Sequence, residues 1–144
     1  MGISDHNWIP LFIQDIIKKG IREHPELSVG GQSEGYQVRS VGNSKILKDT
    51  ALIESFNLKY AIEYATGHVD DARAALQDMP PRNEDQLDAV TLHNQALLQM
   101  DENANKGFKK LKHLIQNPPF PQETFSNLLL LYCKHNYYSL AADV

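Results

Sequence analysis

"LQDMPPRNEDQLDAVTLHNQALL", residues 76–98, ends one amphipathic run on a proline pair and opens another about seven residues later. Pro80 and Pro81 lack the amide hydrogen that a continuing helix would donate, and each pushes the residue before it out of the helical region. A helix therefore stops near Met79. Asp88 or a neighbour is placed to cap the next one, its side chain accepting from first-turn amides that have no partner within the helix. The same pattern returns in "LIQNPPFPQETFSNLLLLY", where Pro118, Pro119 and Pro121 form the stop and Glu123 or Thr124 stands near the restart.

Recurrence suggests a repeat, and small residues at helix crossings mark its period, because only they let two backbones approach closely. In "VDDARAAL", "ANKGFKKL" and "YYSLAADV", Ala72, Gly107 and Ala141 fall 35 and 34 residues apart. Eleven residues upstream of each lie Ala61, Ala96 and Leu130, with the same spacing. A helix pair recurring at about 34 residues is the tetratricopeptide period. Departures from the pattern are plain: Phe56, Thr91 and Phe125 replace the usual Trp, and Leu130 is not small.

The expected fold is all-α, a piece of a right-handed tetratricopeptide-type α-α superhelix, with first helices on the concave side. Helices are expected at about 11–24, 44–66, 70–79, 89–100, 106–116, 122–134 and 138–144, with Pro25 as a stop and residues 26–42 as loop. Residues 1–50 read as a partial repeat helix and a glycine-rich loop. Residues 51–144 read as two tetratricopeptide-like repeats ending in a truncated third. Such repeats are stable by stacking on neighbours, so a chain that opens and closes on half repeats reads as a fragment of a longer solenoid, prone to aggregate or to melt low and broadly alone.

Composition excludes several classes. In 144 residues, 42% hydrophobic and 22% charged content is ordinary for a globular domain. A net charge of −4 gives no global attraction to nucleic acid or to an anionic membrane. The longest strongly apolar run, Leu128 to Cys133, is far short of the roughly 18–20 residues a spanning helix needs. One cysteine, Cys133, permits no internal disulfide, which suits a reducing compartment.

Chemistry is sparse. The 6 histidines (His6, His24, His68, His93, His113, His135) lie at wide intervals without one-turn pairing, so neither a metal site nor a cofactor site is expected. His68, Asp70 and Asp71 fall at a helix junction, where the acids are expected to cap and to complement the helix dipole. Cys133 and His135 point in different directions on a helix, so Cys133 is expected to be a small buried hydrophobe. "GGQSEG" has no following Lys-Ser/Thr and reads as a loop, not a phosphate cradle. Lys106, Lys109, Lys110 and Lys112 could meet an acidic tail such as that of tubulin, although a solvated helix face is the ordinary reading. No constellation for catalysis survives, and function is expected in binding along a surface.

"GIREHPELSVG", "VRSVGN", "ALIESFNLKYAIEY", "LQDMPPR", "AVTLHNQALLQMD", "NPPFPQETFSNLLLLYCK" and "LAADV", in that order, resemble the intraflagellar transport protein 70 family, also called fleer or tetratricopeptide repeat protein 30. The resemblance runs from about Ile13 to Val144. "MGISDHNWIPLF" does not share it, and Tyr60 stands where the family tends to have Ala. The resemblance implies a non-enzymatic scaffold of intraflagellar transport complex B, in the cilium and cytoplasm, that wraps a proline-rich segment of intraflagellar transport protein 52. It also implies a requirement in tubulin polyglutamylation, though not the ligase activity.

A groove that grips an extended proline-rich chain needs polar groups for backbone carbonyls and apolar or aromatic groups for the rings. Asn57, Tyr60, Tyr64, His93, Asn94 and Leu97, on first helices, are the candidates; inter-helix packing is the competing role for Tyr60, Tyr64 and Leu97. A rival binding class, the co-chaperone repeats that clamp a C-terminal carboxylate, would draw on Asn57, Lys59, Asn94 and Lys134, but the full cationic set is not evident.

Overall fold

The computed structural model describes residues 10–28 and 40–144. The "GGQSEG" loop, most of the alternating "YQVRSV" and all but the end of "MGISDHNWIPLF" lie outside the described residues. Every regular element among the described residues is helical, as the proline stops and the 34-residue period require. The chain divides into two compact units, Met1–Leu87 and Asp88–Val144. The boundary falls between the residues after the proline pair and the Asp88 cap.

In the first unit, α1 (Leu11–Glu23) ends at Pro25, which begins a 3-10 turn (Pro25–Leu27). The helix expected over 44–66 is instead two, α2 (Lys45–Asp49) and α3 (Leu52–Ala65). The break is at Ala51, held left-handed at φ 54°, a conformation costing an L-residue about 1–2 kcal/mol. The kink sends both Leu47 and Leu52 into the core, at 2% and 0% exposure, whereas a straight helix would put these residues, five apart, on different sides. Ser44 caps α2 through Leu47 N, and the Ser55 hydroxyl donates to the Ala51 carbonyl. α3 packs on α1, on α2 and on α4 (Val69–Asp78). The core holds Leu27, Leu47, Leu52, Ile53, Phe56 and Met79, each contributing about 1.5–3 kcal/mol by burial.

The stretch after the proline pair is ordered. Asn83 and Gln86 form a reciprocal capping box around a 3-10 turn (Glu84–Gln86). Val41 N donates to the Pro81 carbonyl at 2.8 Å, and Asn43 Nδ2 donates to the Gln86 carbonyl at 3.0 Å. The stop thus also fastens residues 40–43 to the end of α4.

In the second unit, α5 (Ala89–Glu102), α6 (Ala104–Gln116), α7 (Gln122–Lys134) and α8 (Tyr138–Asp143) pack in sequence order. Asp88 caps α5 as expected, accepting from Thr91 N at 3.1 Å and from the Thr91 hydroxyl at 2.6 Å. α7 has Pro121 at its N-cap and no side-chain cap. The core comprises Ala96, Met100, Phe108, Leu111, Leu128 and Tyr132, with the Phe108 and Tyr132 rings stacked 4.8 Å apart.

Two sequence expectations are corrected here. Asp70 and Asp71 do not cap α4: its N-cap is His68, and both acids lie in the first turn, Asp70 paired with Arg73 at 3.1 Å. Cys133 is exposed. On α7 the buried residues are Thr124, Leu128 and Tyr132, a four-residue stripe that leaves Cys133 one position off the core side.

The repeat holds, with its landmarks revised. Ala72 and Gly107 are buried at crossings, but Ala61 and Leu130 are exposed, and of that series only Ala96 is inside. The buried series on the first helices is Tyr60, Asn94 and Leu128, spaced 34 and 34, at 1%, 6% and 2% exposure. The reason lies in the junctions. α3 and α7 each close through a left-handed residue, Gly67 (φ 85°) and Asn136 (φ 63°), with His68 N bonded to the Glu63 carbonyl and Tyr137 N to the Tyr132 carbonyl. α5 and α6 are joined by Asn103 alone, so an eleven-residue offset fits that pair and not its neighbours.

Candidate functional site

Each unit presents its candidates on a first helix. In the first, Asn57 and Tyr60 are buried and Tyr64 is half-buried. Tyr60 and Tyr64, one turn apart, stack at 5.4 Å and 22°. A stacked pair of this kind stiffens the face of α3 and contributes about 0.5–1.5 kcal/mol beyond its area. α3 also carries Glu63, a carboxylate at 4% exposure whose Oε2 lies 3.0 Å from His68 Nδ1. Sequence reading passed over Glu63, which stands four residues after Lys59 like an ordinary surface pair.

Glu63 lines a cleft of about 280 Å³ together with Gln14, Ile17, Lys18, Lys59, Asp71 and Ala74. The lining comes from α1, α3 and α4 and mixes amines with carboxylates. It suits polar contact with a peptide.

In the second unit His93 and Asn94 are buried and Leu97 is half-buried. His93 Nε2 meets the Asn127 amide at 3.0 Å, joining α5 to α7. Burial pushes the His93 pKa below the ordinary histidine value, while the Glu123 carboxylate and the Asn94 side chain pull the other way. The imidazole is therefore held neutral, and its Nε2 accepts from the Asn127 Nδ2 amide. Asn127 was not singled out from the sequence, although it lies 34 residues after His93 and the period alone pointed to it. A second tie between helices, Lys110 Nζ to Gln95 Oε1 at 3.2 Å, joins α6 to α5.

Among the described residues no three His, Cys, Asp or Glu side chains gather as metal ligands would. None of the described helices is long and apolar enough to cross a membrane. The arrangement is one of helix faces and polar clefts.

No family model matches the chain. Curated relatives do. The chain is 63% identical over 132 residues to intraflagellar transport protein 70A of Xenopus tropicalis, an alignment covering 92% of this chain and 20% of that protein. It is 61% identical to intraflagellar transport protein 70B of Mus musculus, again over 92% of this chain and 20% of the relative. With intraflagellar transport protein 70A2 of Mus musculus the identity is 61% over 143 residues, covering 98% of this chain and 22% of the relative. That last alignment takes in most of the first dozen residues, beyond the Ile13 start read from the sequence. The chain spans about one fifth of the length of these relatives. By this identity, sustained over nearly its whole length, the chain is a member, as a segment, of the intraflagellar transport protein 70 family.

Proposed function

We propose that this chain is a non-enzymatic protein–protein interaction segment of the intraflagellar transport machinery. Its helix pairs serve as a scaffold within complex B, in the cilium and the cytoplasm, supporting axonemal transport and, through it, tubulin polyglutamylation. The observation that carries the proposal is 61–63% identity over 92–98% of the chain to proteins named intraflagellar transport protein 70. The repeat period agrees with it.

The partner proposed for the first helices is the proline-rich segment of intraflagellar transport protein 52, contacted through Asn57, Tyr60, Tyr64, His93, Asn94 and Leu97. Tyr64 and Leu97 keep part of their surface in solvent and are the residues of this set that can be truncated with least damage to the core. The test is co-purification of the chain with that segment, using wild type, Asn57→Ala/Asn94→Ala and Tyr64→Ala/Leu97→Ala. Retention by wild type and loss in a variant with an unchanged helical spectrum supports the site. Equal retention by all three moves the contact elsewhere, and no retention by wild type removes this partner from the segment.

A further inference from the structure

α6 carries Lys106, Lys109, Lys110 and Lys112 with His113 and no acidic residue. No other described helix joins more than one Lys or Arg to so complete a lack of carboxylates. Two helical cations elsewhere are paired within a turn, Lys45 with Asp49 at 2.6 Å and Arg73 with Asp70 at 3.1 Å, and the helices that carry the others also carry carboxylates. Among the described residues Lys106, Lys109 and Lys112 make no ion pair, and all three are exposed.

The helix is fixed in rotation by its other side. Phe108, Leu111 and Leu114 are buried, and Gly107 lies so close to α5 that a Cβ would meet the Ala96 carbonyl at 2.9 Å. Opposite that stripe, at 100° per residue, Lys106, Lys109 and His113 share the middle of the outward face and Lys112 flanks it. Like charges three and four residues apart repel, and Lys106 in the first turn also faces the positive end of the helix dipole. The face thus gathers like charges that make no ion pair among the described residues.

We propose that the outward face of α6 is a docking surface for an acidic polypeptide segment, rich in Glu or Asp. The complementary charge would remove the repulsion and fill the unused ammonium donors. The row from Lys106 to Lys112 spans only about 9 Å of helix axis, which suits a short carboxylate run better than a nucleic acid, given a chain of net charge −4. A lipid surface fits less well. The apolar side of α6 is already buried in its own core, and interfacial helices need that side free.

The test is fluorescence anisotropy of labelled decaglutamate titrated with the whole chain, beside decaglutamine, a single-stranded oligonucleotide and phosphatidylserine vesicles. Decaglutamate should bind, decaglutamine should not, and raising salt from about 50 to 300 mM should weaken binding severalfold. Lys106→Gln/Lys109→Gln/Lys112→Gln should weaken it about tenfold while its melting temperature stays level or rises. Lys109→Glu alone is the second variant should the triple one fail to fold, and it should weaken binding severalfold. Undiminished binding by either folded variant, no binding of decaglutamate at low salt, or tighter binding of the oligonucleotide or vesicles would overturn the proposal.

Discussion

α3 and α6 show two ways for a helix to serve one repeat. α3, "LIESFNLKYAIEYA", spreads apolar residues around its circumference and buries seven side chains, three of them polar or charged: Ser55, Asn57 and Glu63. α6, "ANKGFKKLKHLIQ", confines its apolar residues to one stripe and leaves the rest to lysine and amide. α3 lies among α1, α2 and α4, while α6 meets α5 and α7 and keeps its lysine side outward. Partner contacts drawn from α3 therefore compete with packing, and contacts drawn from α6 do not.

The junctions differ in parallel. The α3–α4 pair spends three residues on a left-handed turn through Gly67, and α4 is correspondingly short, ending at Asp78. The α5–α6 pair turns on Asn103 alone, whose side chain accepts from Lys106 N, and α6 runs 13 residues. Loop and helix trade length, so the period survives while the internal offset does not.

The largest effect expected from this contrast is at the buried series. Tyr60→Ala should destabilise by about 3–5 kcal/mol in denaturant unfolding, because Tyr60 is at 1% exposure and stacked on Tyr64. A loss below about 1 kcal/mol would mean that the face of α3 is loosely packed. Next is the crossing. At Gly107 an added Cβ would meet Met100 Sδ at 2.5 Å and the Ala96 carbonyl at 2.9 Å. Overpacking of about 1–3 kcal/mol should outweigh the ~1 kcal/mol gain in helix propensity for Gly107→Ala. A variant that melts higher than wild type would show that α5 and α6 separate easily.

The turn variants come third. Nothing lies within 4 Å of a Cβ at Gly67, so Gly67→Ala should cost only backbone strain, about 1 kcal/mol. Asn136→Gly, at the matching turn, should change stability by only a few tenths of a kcal/mol. Equal losses at both would argue against a shared turn geometry.

The smallest effect is the pH dependence from His93. Its folded pKa lies below that of the unfolded chain, so the neutral ring favours the folded state. That contribution is complete above about pH 6.5 and is lost as pH falls through the lower folded value. Denaturation midpoints measured from pH 8 to pH 5 should fall at the acid end. His93→Gln, which keeps an amide opposite Asn127, should flatten the fall.

Helix ends were legible in the sequence wherever chemistry punctuates them: the proline pairs, Pro25 and the Asp88 cap. The α2–α3 break was not, because left-handed Ala51 carries no signature; Gly or Asn would have announced it. The small-residue alignment wrongly chose Ala61 and Leu130, both exposed, since it assumed one junction for all pairs. In the candidate site, polarity and position pointed to Asn57 and Asn94, but a helix apolar on all sides gives periodicity no face to read. Asn127 was findable by applying the period to the candidate His93 as well as to the small residues.

Cys133, the chain's one thiol, stands exposed beside Tyr132 on the last long helix. A maleimide fluorophore or nitroxide can thus be attached there without first removing any other cysteine. Such a probe would sit next to the Phe108–Tyr132 stack and report separately on the second unit. The same accessibility lets two copies join through a disulfide during storage, so preparations without reductant should show a band at twice the chain mass that dithiothreitol removes.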